Sequence, residues 1–364
     1  MLAFRLKQAL RPLAHLLLYG LLMSCVTPYQ PETKSLPNRS LIVDGYITDQ
    51  LGPHQVTLTY TADYTNTAVN FIVSGATVYV TDDQGNRQSF SDLGRGVYRT
   101  PATFKGQPGR TYKLTVILPD GRRYESQPET IRPVPAIDNI YATYTQKSVG
   151  NTATFDKGFD VYLDTTDPAT TGDYYRWVWT HYEFLDFCEV RSRFVGSTAV
   201  ENSYSCCQKC WDIIRCTGAN CNNAISDEAI NGKAISGQFI MRAPFSSLTS
   251  YYLEIEQLSI SRDAYIYYKS IENLTQNNGG IFDAAPSSLR GNMVSVSDPG
   301  ETVFGYFSAS GAQKVPYRVD RTKGEGTPNL IIQPPLPPSP PPPPCAECVE
   351  SDYRTRIQPR WWDL

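Results

Sequence analysis

Ala76-Thr77-Val78-Tyr79-Val80-Thr81, followed at once by Asp82-Asp83-Gln84-Gly85-Asn86, is a strand and its turn. β-Branched and aromatic residues fill the first segment. The second strings together Asp, Gly and Asn, which supply local side-chain bonds and left-handed backbone. The pattern recurs on both sides. Upstream, Leu41 to Thr48 (LIVDGYIT) and Gln55 to Tyr60 (QVTLTY) have strand composition, and in the second Val56, Leu58 and Tyr60 alternate with threonines. Downstream, Gly94-Arg95-Gly96-Val97-Tyr98 leads to Thr111 to Leu118 (TYKLTVIL), and Asp120-Gly121 signals a two-residue hairpin into Arg122 to Ser126. Short strands separated by turn chemistry predict a small all-β sandwich over residues 40–132. Asp82, Asp83 and Asp120 could be offered as calcium ligands, but an Asp bonded to its own backbone in a turn is the simpler reading.

Ile131-Arg132-Pro133-Val134-Pro135 marks a boundary, because closely spaced prolines cannot continue a central strand. A larger β domain is expected over 133–325. Phe159 to Leu163 alternates, and Tyr174 to Phe187 is the most aromatic strand candidate, with Tyr175, Trp177 and Trp179 on one face. Such a stripe can stack a sugar or other ligand, or it can be one wall of a core. Ser250 to Ser261 reads as another strand. The period then changes: Ala264, Tyr267, Tyr268, Ile271 and Leu274 fall at helical spacing, predicting one helix near 262–276 capped by Ser261 or Asp263. Asn292 to Ser297 and Thr302 to Ser308 are expected to close this domain as strands. Residues 326–364 form an arm. Nine prolines between Pro334 and Pro344 predict a stiff polyproline II spacer, then Cys345-Ala346-Glu347-Cys348 and a tail ending in Trp361-Trp362-Asp363-Leu364. Trp361 and Trp362 are candidates for docking, on the protein's own body or on a partner.

At the other end, Arg5, Lys7 and Arg11 precede an apolar run from Leu13 to Met23 that closes on Leu22-Met23-Ser24-Cys25. The run is too short to span a bilayer as a helix and has the layout of a secretory signal. It resembles a bacterial lipoprotein signal, residues 1–24, cut so that Cys25 carries lipid and residues 25–39 act as a tether. Membrane attachment would then run through the N-terminal lipid. The expected location is the outer membrane, with the periplasmic and cell-surface faces both open. Hydrophobic content of 41% supports a packed body, and a net charge of −3 provides no field for nucleic acid.

Of nine cysteines, one is assigned to lipid, which leaves Cys188, Cys206, Cys207, Cys210, Cys216, Cys221, Cys345 and Cys348. An even number in an oxidising compartment reads as disulfides, with connectivity open. Cys207-Gln208-Lys209-Cys210 has metal spacing but no second CxxC at zinc-ribbon distance, so no metal and no cofactor are expected. His15, His54 and His181 join no catalytic motif. The acidic pairs Asp164/Asp167 and Glu254/Glu256 could serve as acid and base, though in a β protein such pairs are usually solvated edges or turns. Asp164-Thr165-Thr166 resembles a short O-glycosylation sequon of Bacteroidota.

The stretch from Ser74 to Val116 resembles immunoglobulin-like or prealbumin-like modules. From Leu41 onward the chain resembles a family of Bacteroidota lipoproteins classed as a domain of unknown function, number four-two-four-nine. Ile42-Val43-Asp44-Gly45-Tyr46-Ile47, Ser74-Gly75-Ala76, Gly96-Val97-Tyr98, Tyr175-Arg176-Trp177, Cys210-Trp211, Ser236-Gly237, Gln257, Ala264-Tyr265, Gly291-Asn292, Gly305-Tyr306-Phe307 and the CxxC and Pro-x-Trp tail carry the resemblance. It implies an accessory role beside a TonB-dependent outer-membrane receptor. The expectation is an all-β protein, an N-terminal sandwich followed by a larger β-sandwich or barrel-like domain with one helix. It would act without catalysis, as an accessory or ligand-binding subunit for a carbohydrate or peptide. A hydrolase using acidic residues of the larger domain and a structural adhesin are the alternatives.

Overall fold

The computed structural model describes residues 39–61, 71–148, 155–195, 198–216, 221, 223–276, 289–328, 345–359 and 361–362. The expected signal, Cys25 with almost all of its tether, and the polyproline arm over 334–344 lie outside these residues.

The protein is all-β. The first half carries β1 (Leu41–Thr48), β2 (Gln55–Tyr60), β3 (Phe71–Ile72), β4 (Thr77–Asp82), β5 (Arg87–Asp92), β6 (Val97–Arg99), β7 (Thr111–Ile117), β8 (Arg123–Ser126) and β9 (Glu129–Thr130). The second carries β10 (Ile137–Ser148), β11 (Phe155–Thr166), β12 (Tyr174–Phe184), β13 (Phe187–Val195), β14 (Thr198–Ser205), β15 (Trp211–Arg215), β16 (Ala224–Ser226), β17 (Ala234–Pro244), β18 (Tyr251–Ser259), helix α1 (Arg262–Gln276), β19 (Met293–Ser295), β20 (Phe307–Val319) and β21 (Arg354–Thr355).

One sheet runs through both halves in the order β19-β8-β7-β4-β5-β6-β2-β1-β20-β18-β12-β15-β21. The N-terminal part curls on a core that includes Val43, Val56, Leu58, Val78, Leu114 and Tyr124. The alternation read in β2 is what buries Val56 and Leu58 there. Asp82 accepts hydrogen bonds from the backbone N–H of Gln84 at 3.0 Å and of Asn86 at 2.8 Å, and Asp120 accepts from Arg122 N–H at 3.0 Å. Asp83 pairs with Arg110. The calcium alternative for the turn aspartates therefore has no support in their geometry.

In the second half β10-β11-β17 forms a separate three-stranded sheet. It packs on β12, β18 and the end of β20, making a sandwich rather than a barrel. Phe159, Val161, Tyr175, Trp177, Leu253 and Ile255 share its core. A buried amide ties this core together: Trp177 Nε1 donates to Gln257 Oε1 at 2.9 Å, and Gln257 Nε2 donates to Pro135 O at 2.8 Å. Gln257 is fully buried and can be so only because these bonds satisfy it.

Two expectations are corrected. The segments expected to close the larger domain return to the N-terminal half: β19 pairs with β8 through Met293↔Ser126. The last strand also starts later and runs further than Thr302–Ser308. β20 begins parallel to β1, from Gly45↔Phe307 to Thr48↔Ser310, and continues antiparallel to β18 as far as Tyr251↔Val319. Pro316 sits inside it, opposite Glu254, on a stretch where β1 has ended and no N–H is needed on that side. The helix falls where the period placed it. Ser261 is its cap, with Oγ accepting from Ala264 N–H at 3.2 Å, and Ala264, Tyr268 and Ile271 line its packed stripe.

All eight described cysteines form disulfides: Cys188–Cys206, Cys207–Cys345, Cys210–Cys348 and Cys216–Cys221. The two CxxC segments are zipped to each other in register, with Cα atoms 4.9 and 5.7 Å apart. Cys207 N–H donates to Ala346 O at 2.9 Å and Ala346 N–H to Ser205 O at 2.8 Å, so the tail enters as an added strand. β21 then extends the sheet edge beside β15.

Candidate functional site

Strand alternation places Asp44 and Tyr46 of β1, Ser308, Ser310 and Lys314 of β20, Glu256 of β18 and Arg176 of β12 on one face of the shared sheet. Two elements cover parts of this face. Helix α1 covers one side, where the Tyr174 and Tyr265 rings lie 5.1 Å apart and the Arg176 guanidinium sits 3.8 Å above the Tyr268 ring. The tail covers the other. Trp362 stacks on Tyr252 at 3.9 Å, Trp361 meets Tyr182 edge-on at 5.6 Å, and Trp361 Nε1 donates to Glu254 Oε2 at 3.3 Å. Trp361 and Trp362 thus dock on the protein's own body. Asp352 reaches across to Arg99 of β6 at 2.7 Å, so the tail ties the N-terminal sandwich to the second one.

Helix and tail stand on either side of a polar strip of this face, a recess in the sense that both rise from the same sheet. Asp44 has an exposed side chain, yet loss of hydration raises its carboxyl pKa, against the opposing pull of Arg176. A group reached by water but surrounded by protein on most sides satisfies both observations. Asp44 makes no hydrogen bond to the described residues and feels Arg176 without forming an ion pair. Arg176 donates through Nε to Cys221 O at 3.0 Å, leaving both terminal nitrogens without a hydrogen bond to the described residues. Deeper, Tyr46 donates its hydroxyl to Glu256 Oε2 at 2.9 Å, and Lys314 lies 3.7 Å from Glu256 Oε1. Burial raises the Glu256 pKa, while Lys314 and Tyr46 lower it. Burial, then the Glu256 charge, raises the Tyr46 phenol. Ser310 Oγ and Glu256 Oε1 are buried with no hydrogen-bond partner, and Ser308 Oγ stands near the Tyr268 phenol but outside hydrogen-bond geometry. Glu256 Oε1 keeps the Lys314 ammonium as its charged neighbour, whereas the buried Ser310 hydroxyl has no partner among the described residues.

The residues singled out by sequence fall elsewhere. Tyr175 and Trp177 are 1% exposed, and Trp179 packs on the same core. As a ligand-stacking platform the stripe is therefore corrected: it is the wall between two sheets. Of the acidic pairs, Asp164 accepts from Gly237 N–H at 2.8 Å and Asp167 from Tyr175 OH at 2.6 Å, both holding the fold. Thr165 of the sequon-like triplet is fully buried and donates to Ala136 O at 2.7 Å, closed to a glycosyl donor. Only Glu254 and Glu256 reach the recess. The Cys188, Cys206 and Cys210 sulfurs lie within 4.8 Å of one another because two disulfides share a small core. Asp44, Tyr46, Arg176 and Tyr267 were missed as site residues. A charged residue inside the apolar run Ile42 to Ile47, and another inside the aromatic run at 174–179, were the available signals.

His54, ahead of β2, is a consequence of the same packing. Burial, helped by Lys314, lowers its pKa from 6.5 to about 4. Its folded pKa lies below the unfolded value, so folding favours the neutral ring: the full contribution is present above pH 6.5 and is lost as pH falls toward 4. At ~1.4 kcal/mol per pKa unit, His54 should remove about 3 kcal/mol of stability across that window. Urea unfolding at pH 7 and pH 4 should show His54→Gln closing that gap relative to wild type; an unchanged gap would assign it to other groups.

Among the described residues no helix is long and apolar enough to cross a membrane. A search of curated proteins returns no match. Among solved structures the chain is similar to a two fibronectin type-III domain segment from chicken tenascin, at 10% identity and a TM-score of 0.16, covering 62% of this chain and 92% of that one. It is also similar to trypsin-activated alpha-2-macroglobulin from Escherichia coli, at 9% identity and a TM-score of 0.20, covering 62% of this chain and 15% of that one. The family described as "Domain of unknown function (DUF4249)" matches residues 26–315. That match covers the strands that meet through β1, the helix and most of the recess, and the chain belongs to this family.

Proposed function

We propose that the protein is a lipid-anchored, non-catalytic subunit of a TonB-dependent uptake system, fastened to the outer membrane through Cys25, that holds a ligand in the recess between α1 and the tail. The observation that carries this reading is the polar strip itself: an exposed Asp44 and both terminal nitrogens of Arg176 stand on it without a hydrogen bond to the described residues. A purely structural junction gains nothing from exposing such groups to water, whereas a binding site uses them. The tail fits the same reading, because a disulfide-fixed strap across the sheet would hold the recess in one shape before the ligand arrives. Affinity purification from solubilised outer membranes of the native cell is the test. The lipoprotein should co-purify with a TonB-dependent receptor; recovery alone, or from the cytosol without acylation, would overturn the partnership.

A further inference from the structure

We infer that the two zipped CxxC segments form an exchangeable clasp: thiol-catalysed isomerisation of Cys207–Cys345 and Cys210–Cys348 into Cys207–Cys210 and Cys345–Cys348 releases the tail with no net oxidation or reduction. The in-register pairing permits this. Each cysteine of the zipper has a second cysteine three residues away on its own segment. Every sulfur therefore has one partner across the zipper and one within its own CxxC, a spacing at which disulfides form and exchange readily. A staple would need only one of these bridges, because the second closes a short loop on a tail already tied.

Burial sets the order of events. Cys207 and Cys345 are exposed, while Cys210 and Cys348 are 0% and 3% exposed. An external thiolate therefore meets the outer bridge first. It attacks the Cys345 sulfur, forms a mixed disulfide there and expels the Cys207 thiolate. Cys207 attacks Cys210, forming Cys207–Cys210 and expelling the Cys348 thiolate. Cys348 then attacks Cys345, forming Cys345–Cys348 and returning the external thiolate. Two bridges break, two form, and the thiol is regenerated, so a low-molecular-weight thiol or the reduced cysteine of a disulfide isomerase serves as catalyst. What then holds the tail is the short pairing of β21 with β15, the Arg354–Asp212 and Arg99–Asp352 ion pairs, and the docked Trp361 and Trp362. Each of these opens without breaking a covalent bond, and their opening uncovers Tyr182, Tyr252 and the edge of β15. The Cys188–Cys206 bridge lies within 4.8 Å of the Cys210 sulfur, so the isomerisation is specific only if that bridge stays closed.

The test is incubation of the full-length folded protein with a catalytic amount of reduced glutathione, followed by acid quenching and non-reducing peptide mapping. The expected products are Cys207–Cys210 and Cys345–Cys348 peptides, each closed on itself and inert to iodoacetamide. They should form in step with a red shift of tryptophan emission, as Trp361 and Trp362 leave Tyr252 and Tyr182. The Cys207→Ala/Cys345→Ala variant keeps only the buried bridge, and its emission should change at least tenfold more slowly in the same buffer. Zipped pairs alone, glutathione adducts that never close within a CxxC, or exchange into Cys188 or Cys206 would each overturn the clasp. Equal rates in the two proteins would show that the tail leaves by unfolding, and would overturn it as well.

Discussion

Replacing Cys207, Cys210, Cys345 and Cys348 together by alanine should lower the unfolding free energy by about 7 kcal/mol, against about 2–3 kcal/mol for either bridged pair alone. The asymmetry follows from connectivity. Cys207–Cys345 and Cys210–Cys348 each span 138 residues, and the first bridge to form removes the entropy of that whole loop, a term of about 5 kcal/mol. Once it exists, the second closes only the few residues between the paired CxxC segments and adds the smaller term. Losing either bridge therefore forfeits the small term, and losing both forfeits the two together. Guanidinium chloride unfolding without reductant reads the difference. Tryptophan emission should shift to the red in the fourfold variant only, because Trp361 and Trp362 are then released from Tyr182 and Tyr252. Equal, additive losses for the two pairs would mean that the tail is held by its aromatic contacts rather than by the zipper.

Gly305→Ala should destabilise the protein by about 3–5 kcal/mol or abolish folding, which is large for one methyl group. Two independent costs meet at this position. Its φ of +88° is a backbone conformation that L side chains rarely adopt. A Cβ there would also meet the Val43 carbonyl oxygen of β1, backbone that cannot turn aside as a side chain can. Phe304 O accepts from Val43 N–H at 2.9 Å, and Tyr306 O accepts from Gly45 N–H at 3.3 Å, on either side of the close approach. Gly305 is therefore where the chain enters the parallel pairing of β20 with β1, the junction that joins the two sandwiches. A chemical melt of the alanine variant is the check. An unchanged midpoint would show that β20 can meet β1 without this approach.

These two positions also mark what could be read from the sequence. The all-β class was legible because strands and turns alternate along the chain, as in Thr77–Asp82 and its Asp-Gly-Asn turn. Helix α1 was legible because Ala264, Tyr268 and Ile271 follow a helical period. Both signals are local. The parallel pairing of β1 with β20 is not, since its partners, Gly45 with Phe307 to Thr48 with Ser310, lie more than two hundred residues apart. Gly311 and Pro316 lie beyond the strand expected at Thr302 to Ser308, and the edge left after β1 ends explains why Pro316 is tolerated opposite Glu254. Disulfide formation followed from an even cysteine count, but pairing the two CxxC segments needs the tail folded back onto the body. The candidate site is built from these long-range contacts, so its residues carried no pattern of their own. The aromatic stripe that did carry one, Tyr175-Trp177-Trp179, went to the core.

Carbodiimide labelling of carboxyl groups with a small amine, read by peptide mapping, tests the recess most directly. Asp44 should label in the free protein while buried Glu256 and Glu129 stay unlabelled. A bound ligand should then shield Asp44 without changing Asp120 in its exposed turn. An Asp44 that resists labelling in the free protein, or labels equally with and without every ligand that binds, would contradict the account.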